Sequence, residues 1–127
     1  MARRNGLALI LVASLGLLAG CVPDTSLPET CQDASVAFAT TLVDDRLDPA
    51  TFAACRDQEV TITVTVQQDG ILHLHGYDDL VGAREVRAGQ EAELSFPATH
   101  VGQFPIELHP QSGPSDLTVG TLIVHDA

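Results

Sequence analysis

The stretch 59-EVTITVTVQQDGILHLHG-76 decides the fold, because its first half has the side-chain period of a β-strand. Between Val60 and Val66 every second residue is Val or Ile, and the residues between them are threonines. Strict alternation places the apolar side chains on one face of an extended chain. The pattern predicts a half-buried strand over 60–66, a turn over 67–70 and a second strand over 71–76.

Downstream of this stretch the chain continues as short apolar segments separated by glycine, proline and polar residues. Strands are predicted at Ala83–Ala88, Glu91–Pro97, Gly102–His109 and Thr118–Asp126. Short strands punctuated in this way are typical of an all-β sandwich or a small Greek-key barrel. We therefore assign residues 59–127 to one β domain.

Residues 31–58 precede the β domain and carry a different pattern. Val36, either Ala39 or Thr40, and Val43 recur at helical spacing. Asp48-Pro49 has the order of a helix start, with a capping residue followed by proline. These features predict two short helices within residues 31–55.

The first 20 residues have the features of an export signal. Arg3 and Arg4 are followed by the apolar stretch Leu7–Leu18 and then by small residues. The apolar stretch is too short for a membrane-spanning helix, whereas its length suits a secretory signal peptide. We expect residues 1–20 to be removed on export.

The motif "LAGC" at Leu18–Cys21 resembles the lipobox of bacterial lipoproteins. The resemblance implies cleavage before Cys21 and acylation of its thiol, and a plain secretory signal cut elsewhere is the alternative. Residues 21–30 are polar with two prolines and would tether the lipid to the domain. The chain would then lie outside the cytoplasm in the bacterial cell envelope, either periplasmic or surface-exposed.

With Cys21 assigned to the lipid, two cysteines remain, Cys31 and Cys55. Paired thiols in an exported protein most often form a disulfide, and such a loop would stabilise the fold by about 3–4 kcal/mol. A two-cysteine metal site is the alternative, but no histidine lies near either cysteine in the sequence.

The chain is strongly acidic, with a formal net charge of −11. Loss of the leader removes two of its six basic residues and none of its seventeen acidic ones. Such a protein does not bind nucleic acid or anionic lipid headgroups through charge. Membrane attachment would therefore depend on the lipid at Cys21.

Two histidines, His73 and His75, lie one residue apart in the second predicted strand. Because side chains at i and i+2 share a face of a strand, both imidazoles can converge on one ion beyond the strand end. Imidazole is the commonest metal ligand among side chains and suits copper or zinc. Two exposed or partly packed histidines without a metal are the alternative.

His109 ends a strand in which the residues at 104, 106 and 108 alternate inward. It therefore shares the outer face with Glu107. A site built from His109 and the two upstream histidines requires the second and the penultimate strands to be neighbours. We expect His100 and His125 to be solvated surface residues.

Residues Val60–Ala127 resemble the cupredoxin superfamily in the order of their features. "HLHG" at His73–Gly76 resembles the HxHG motif of multicopper oxidases. "GQFPIELH" at Gly102–His109 resembles their G-x-Y-x-Y-H-x-H segment, with His109 at the final histidine and Glu107 at the other. The resemblance implies a Greek-key β-sandwich that carries copper.

The departures from that pattern limit the kind of copper site. Blue copper proteins such as plastocyanin carry a cysteine where this chain has Leu108, and no cysteine follows Cys55. The only methionine is Met1. A blue centre needs the thiolate, and the trinuclear centre of the oxidases needs more histidines than this chain has.

What remains is a mononuclear, non-blue site formed by His73, His75 and His109. Glu107 would be either a fourth ligand or a group that hydrogen-bonds a ligand. Copper is the expected ion, with zinc as the other metal that such donors suit.

No hydrolase, metalloprotease or phosphate-binding motif is present, so the sequence does not predict an enzyme. Asp78 and Asp79, which follow the histidine pair, are expected to be turn formers. We expect a lipid-anchored protein that holds or delivers copper, with an envelope redox or metal-handling protein as its partner. The alternative is a metal-free structural or interaction module with the same fold. The two hypotheses differ in whether His109 lies within about 8 Å of the other imidazoles.

Overall fold

The computed structural model describes residues 26–113 and 115–127. The expected signal peptide, the expected lipidation site at Cys21 and the first half of the expected tether therefore lie outside the described residues. A single 3-10 turn at Glu29–Gln32 is followed by nine strands. The strands are β1 (Ser35–Val43), β2 (Arg46–Asp48), β3 (Thr51–Cys55), β4 (Glu59–Thr65), β5 (Gly70–Leu74), β6 (Arg84–Val86), β7 (Glu91–Pro97), β8 (Gly102–Pro110) and β9 (Leu117–His125).

The strands form two sheets. One sheet has four strands in the order β2-β1-β4-β7, and the other has five in the order β3-β9-β8-β5-β6. β1 pairs with β4, and β3 with β9, in parallel, whereas the remaining pairs are antiparallel. The predicted all-β, two-sheet class is confirmed, and each predicted strand between residues 59 and 127 ends within two residues of its observed bounds.

The turn after β4 does not close a hairpin. β4 belongs to the four-stranded sheet and β5 to the five-stranded sheet, so residues 66–69 carry the chain from one sheet to the other. This crossing takes β5 to the sheet that contains β8.

The core lies between the sheets and follows the alternation of the sequence. Val60, Ile62 and Val64 of β4 are fully buried, and the threonines between them are half-buried. In the five-stranded sheet, Leu72 and Leu108 are buried in the same apolar cluster. Burial of these inward side chains fixes which face of each strand is turned to solvent.

The prediction of helices within residues 31–55 is wrong, because this segment forms β1, β2 and β3. Alanine and threonine in β1 are compatible with the period of a helix and with that of a strand, so the helical spacing of Val36 and Val43 does not decide between them. In the structure the side chains of β1 alternate between exposed and more buried positions, as in a strand. Seven paired positions with β4 decide the outcome, since strand formation depends on such non-local packing. Asp48-Pro49 lies at the turn between β2 and β3, with a cis peptide bond, and starts no helix.

The predicted disulfide between Cys31 and Cys55 is confirmed. Next to it, the buried Gln58 accepts a hydrogen bond from the Cys55 backbone N–H at 2.7 Å. Its side-chain amide donates to the backbone carbonyls of Thr30 and Asp33. The disulfide and this side chain together attach the N-terminal turn to the sandwich.

None of the helical segments in the described part of the chain has the length and apolar character needed to cross a membrane.

Candidate metal centre

The antiparallel pairing of β5 with β8 builds the site. The register places His73 opposite Glu107 and Ile71 opposite His109. The buried residues of the two strands, such as Leu72 and Leu108, alternate with them. The second and penultimate predicted strands are therefore neighbours, and their polar side chains share the outer face of the five-stranded sheet.

His73, His75 and Glu107 form one cluster on this face. Each offers a ligand atom, and the three atoms lie within 4.8 Å of one another. The two imidazole centroids are 4.4 Å apart, with the rings inclined at 66°. The cluster lies on the outer face of the sheet, where His73 faces Glu107 across the strand pair, and not beyond the strand end as the sequence led us to expect.

The contact between His75 and Glu107 is close but is not a hydrogen bond. His75 Nε2 lies 2.7 Å from Glu107 Oε2 and is shielded from solvent. It has no hydrogen-bond partner among the described residues. A buried polar atom without a partner is costly, and it commonly marks a position where an ion or a water belongs.

The turn after β5 brings a further carboxylate to the cluster. Asp78 contacts the Nε2 atom of His73 through one oxygen, and its other oxygen accepts the Gly76 backbone N–H at 3.3 Å. Desolvation raises the pKa of the Asp78 carboxyl, but the hydrogen bond and charge of His73, together with backbone amides, lower it overall. The sequence analysis assigned Asp78 only to a turn, and Gly76 directly before Tyr77 was the signal of a chain reversal.

His109 lies beside the cluster and outside it. Its ring centroid is 6.0 Å from that of His73, and its Nδ1 atom is 2.6 Å from Asp116 Oδ1. It is not among the three residues whose ligand atoms converge. Sequence reasoning did not single out Asp116, which follows a loop and carries no pattern of its own.

The two remaining histidines lie elsewhere. The backbone of His100 exchanges hydrogen bonds with the Tyr77 hydroxyl, which donates to the carbonyl at 2.7 Å and accepts from the N–H at 3.0 Å. The His100 ring also lies 2.7 Å, through Nδ1, from the Gly76 carbonyl oxygen, so His100 supports the turn and is not merely solvated. His125 lies on β9 opposite Cys55.

Tyr77 anchors the turn from inside the core. Its side chain is fully buried and packs against the rings of Phe96 and Phe104. Burial raises the pKa of the Tyr77 hydroxyl, the backbone hydrogen bond with His100 lowers it, and the charge of Asp79 raises it further, with a net increase.

No protein-family profile and no curated protein sequence matches the chain. Solved structures do. The multicopper oxidase mgLAC is similar with a TM-score of 0.57 and 17% identity over 73% of this chain and 39% of its own. A blue copper oxidase from Nitrosomonas europaea is similar with a TM-score of 0.55 and 15% identity, over 72% of this chain and 39% of its own. The copper nitrite reductase of the same organism is similar with a TM-score of 0.54 and 13% identity, over 72% of this chain and 42% of its own.

The chain has a cupredoxin-like fold. It spans about two fifths of the length of each of these three structures. At this level of identity the similarity concerns the fold alone. Any chemistry of the cupredoxin-like chain therefore depends on its own residues.

Proposed function

We propose that this cupredoxin-like chain binds one copper ion through His73, His75 and Glu107 and holds or delivers that ion. The observation that carries the proposal is the convergence of three ligand atoms, one each from His73, His75 and Glu107, within 4.8 Å of one another. The shielded Nε2 of His75, which forms no hydrogen bond with the described residues, supports it. The fold of copper-containing oxidases and of a nitrite reductase supports copper as the ion.

The donor set fits a non-blue copper ion. Two imidazoles and a carboxylate suit Cu(II), whereas a blue centre also needs a thiolate, and both cysteines in the described residues are joined in the disulfide. The same donors accept zinc. His109 is close enough to supply a further ligand if its ring turns away from Asp116.

Two of the three donors are held by a rigid part of the fold. His73 and Glu107 stand on paired strands whose inward neighbours are fully buried, and His75 follows directly after β5. The backbone N–H of His75 donates to the Pro105 carbonyl at 3.0 Å, which continues the pairing to the edge of the site. Ligands fixed in this way favour stable holding of an ion.

The cellular setting is part of the same proposal. The export signal and the "LAGC" motif support a chain anchored by lipid on Cys21 outside the cytoplasm. Its acidic charge is compatible with docking of a basic metal-handling or redox protein. The proposal does not include an enzymatic activity.

A metal-free module is the second candidate, and a specific observation favours it. Two of the histidines near the site have a carboxylate partner, since His73 contacts Asp78 and His109 contacts Asp116. Such pairs stabilise imidazoles without a metal.

Competition titration separates the two candidates. The purified chain is titrated with Cu(II) against a chromophoric chelator of known affinity, together with His75→Ala, Glu107→Gln and His125→Ala. We expect one ion per chain, a loss of affinity of at least roughly tenfold in the first two variants, and an unchanged affinity in the third, which changes a histidine on β9. Absence of stoichiometric binding, or equal losses in all three variants, would support the metal-free module.

A further inference from the structure

We propose that Asp78 is a positioning residue, which holds the Nε2–H of His73 and thereby turns the Nδ1 lone pair of that ring to the metal. The inference rests on the proposed metal site and deepens it, because it states which nitrogen of His73 binds the ion. It assigns a role to a carboxylate outside the three-donor cluster.

The backbone of the turn carries Asp78 back towards β5. Gly76 has a φ of +83°, and a side chain at this position would place its Cβ 2.5 Å from Phe104 Cδ1. The position therefore requires glycine for its conformation and for its space. The reversal brings the Asp78 carboxylate to His73, five residues earlier in the chain.

The two oxygens of Asp78 have separate partners. Oδ2 accepts the backbone N–H of Gly76, and Oδ1 contacts His73 Nε2. The backbone contact orients the carboxylate, so its free oxygen is directed at the ring. A carboxylate fixed in this way holds a proton on the nitrogen that it faces.

The consequence for His73 follows from the chemistry of imidazole. A neutral ring has one N–H and one nitrogen with a lone pair, and the partner of the N–H determines which is which. With Nε2–H held by Asp78, the lone pair is on Nδ1. Carboxylates in this arrangement orient metal-binding histidines and increase their basicity.

Asp79 provides a matched control. It has the same charge and is the next residue in the turn, but among the described residues it forms no hydrogen bond or ion pair with a histidine. Asp78→Ala and Asp79→Ala therefore change the net charge equally, but only Asp78→Ala removes a contact with His73, together with the hydrogen bond to the Gly76 backbone. Asp78→Asn keeps a side-chain oxygen that accepts a hydrogen bond.

The test combines metal affinity with the tautomer of His73. Long-range ¹H–¹⁵N NMR of the full chain, metal-free and loaded with Zn(II) as a diamagnetic probe, identifies the protonated nitrogen and the ligating one. We expect Nε2–H in the metal-free protein and ligation through Nδ1 with zinc. Asp78→Ala should mix the tautomers and weaken Zn(II) and Cu(II) binding by roughly 10- to 100-fold. Asp79→Ala should change neither the His73 tautomer nor the metal affinity. Asp78→Asn should largely keep the wild-type tautomer and the wild-type affinity.

Ligation of His73 through Nε2 in the wild type, or equal affinities of Asp78→Ala and Asp79→Ala, would overturn the inference. A backbone ¹H–¹⁵N spectrum of each variant shows whether it is folded. If the wild-type chain binds no metal, the proposed function fails. In that case, a His73 tautomer that is fixed in the wild type and lost in Asp78→Ala would still support the control of the ring by Asp78.

Discussion

His73 lies directly opposite Glu107 in the pairing of β5 with β8, and His75 follows two residues later on the same face. The register that creates this pair also buries Leu72 and Leu108 in the core. A slip of one residue would move apolar side chains to solvent and the ligands into the core. The geometry of the site is therefore specified by the same packing that stabilises the sandwich.

Gly76→Ala should weaken both the fold and the metal site. The substitution forces alanine into a left-handed conformation, at about 1–2 kcal/mol, and displaces Phe104, at about 1–3 kcal/mol more. Because the turn positions Asp78 and follows His75, Cu(II) affinity should fall by roughly tenfold or more. Chemical denaturation and competition titration measure the two effects.

Gly89→Ala is the control for this prediction. Gly89 has a similar φ of +76°, but a Cβ there would meet no atom within 4 Å. Gly89→Ala should lose only the stability that corresponds to the cost of the left-handed backbone conformation, and its Cu(II) affinity should be unchanged. Equal behaviour of the two variants would show that the contact with Phe104 has no effect on the site.

Tyr77 should titrate above its ordinary pKa of 10.0. Its raised pKa means that the folded state keeps the phenol proton after the unfolded state has lost it. The associated stability is thus fully present below pH 10 and decreases as the pH rises above it. Because the chain contains one tyrosine and no tryptophan, absorbance of the phenolate reports on this residue alone.

Tyr77→Phe tests the burial and hydrogen bonding of the phenol, both near pH 8 and above pH 10. Near pH 8 it should lower the free energy of unfolding by about 1–2 kcal/mol, since the His100 backbone loses its hydrogen-bond partner. Above pH 10 the variant should lose stability less steeply than the wild type. A parallel decline of the two proteins would contradict the burial of the phenol.

Gln58→Ala should lower the free energy of unfolding by about 2 kcal/mol, because it leaves the buried Cys55 N–H without an acceptor. Gln90→Ala, at an exposed position, should stay within about 0.5 kcal/mol of the wild type. Urea denaturation of both variants under oxidising conditions keeps the disulfide intact. Similar stabilities of the two variants would mean that Gln58 does not attach the N-terminal turn.

Replacement of Cys31 and Cys55 by serine should cost about 3 kcal/mol of stability, since the bridge closes a loop with a sequence separation of 24. The bridge joins the N-terminal turn to β3. In the sheet, β9 and β8 separate β3 from β5, which carries His73. Cu(II) affinity of the folded double variant should therefore equal that of the wild type. A large loss of affinity would show that the two ends of the sheet are coupled.

The strands after residue 59 were predictable because their side chains alternate and turn residues separate them. β1 was not, since alanine and threonine fit two periods and its pairing with β4 is non-local. The crossing of the chain from one sheet to the other between β4 and β5 was also not predictable from the sequence. Turn residues indicate that a strand ends, but they do not indicate which sheet the next strand joins.

The site was predictable to the same extent. His73 and His75 follow from a period of two along β5, and the structure brings both close to Glu107, which lies opposite His73 on β8. The sequence named His109 as the third ligand and Glu107 only as a fourth ligand or a supporting group, so the third member of the cluster was assigned wrongly. The parts that the sequence missed are loop contacts. Asp78 and Asp116 reach histidines through turns whose direction depends on glycine conformation and core packing.

The central claim is the ligand set of the copper ion, and electron paramagnetic resonance of the Cu(II)-loaded chain tests it most directly. We predict one pale, type 2 centre per chain, with nitrogen couplings from His73 and His75, and no intense absorption near roughly 600 nm, where thiolate ligation would absorb. His75→Ala should remove one nitrogen coupling, and Glu107→Gln should alter the copper hyperfine splitting. A spectrum unchanged in both variants, or the absence of a stoichiometric centre, would contradict the assignment.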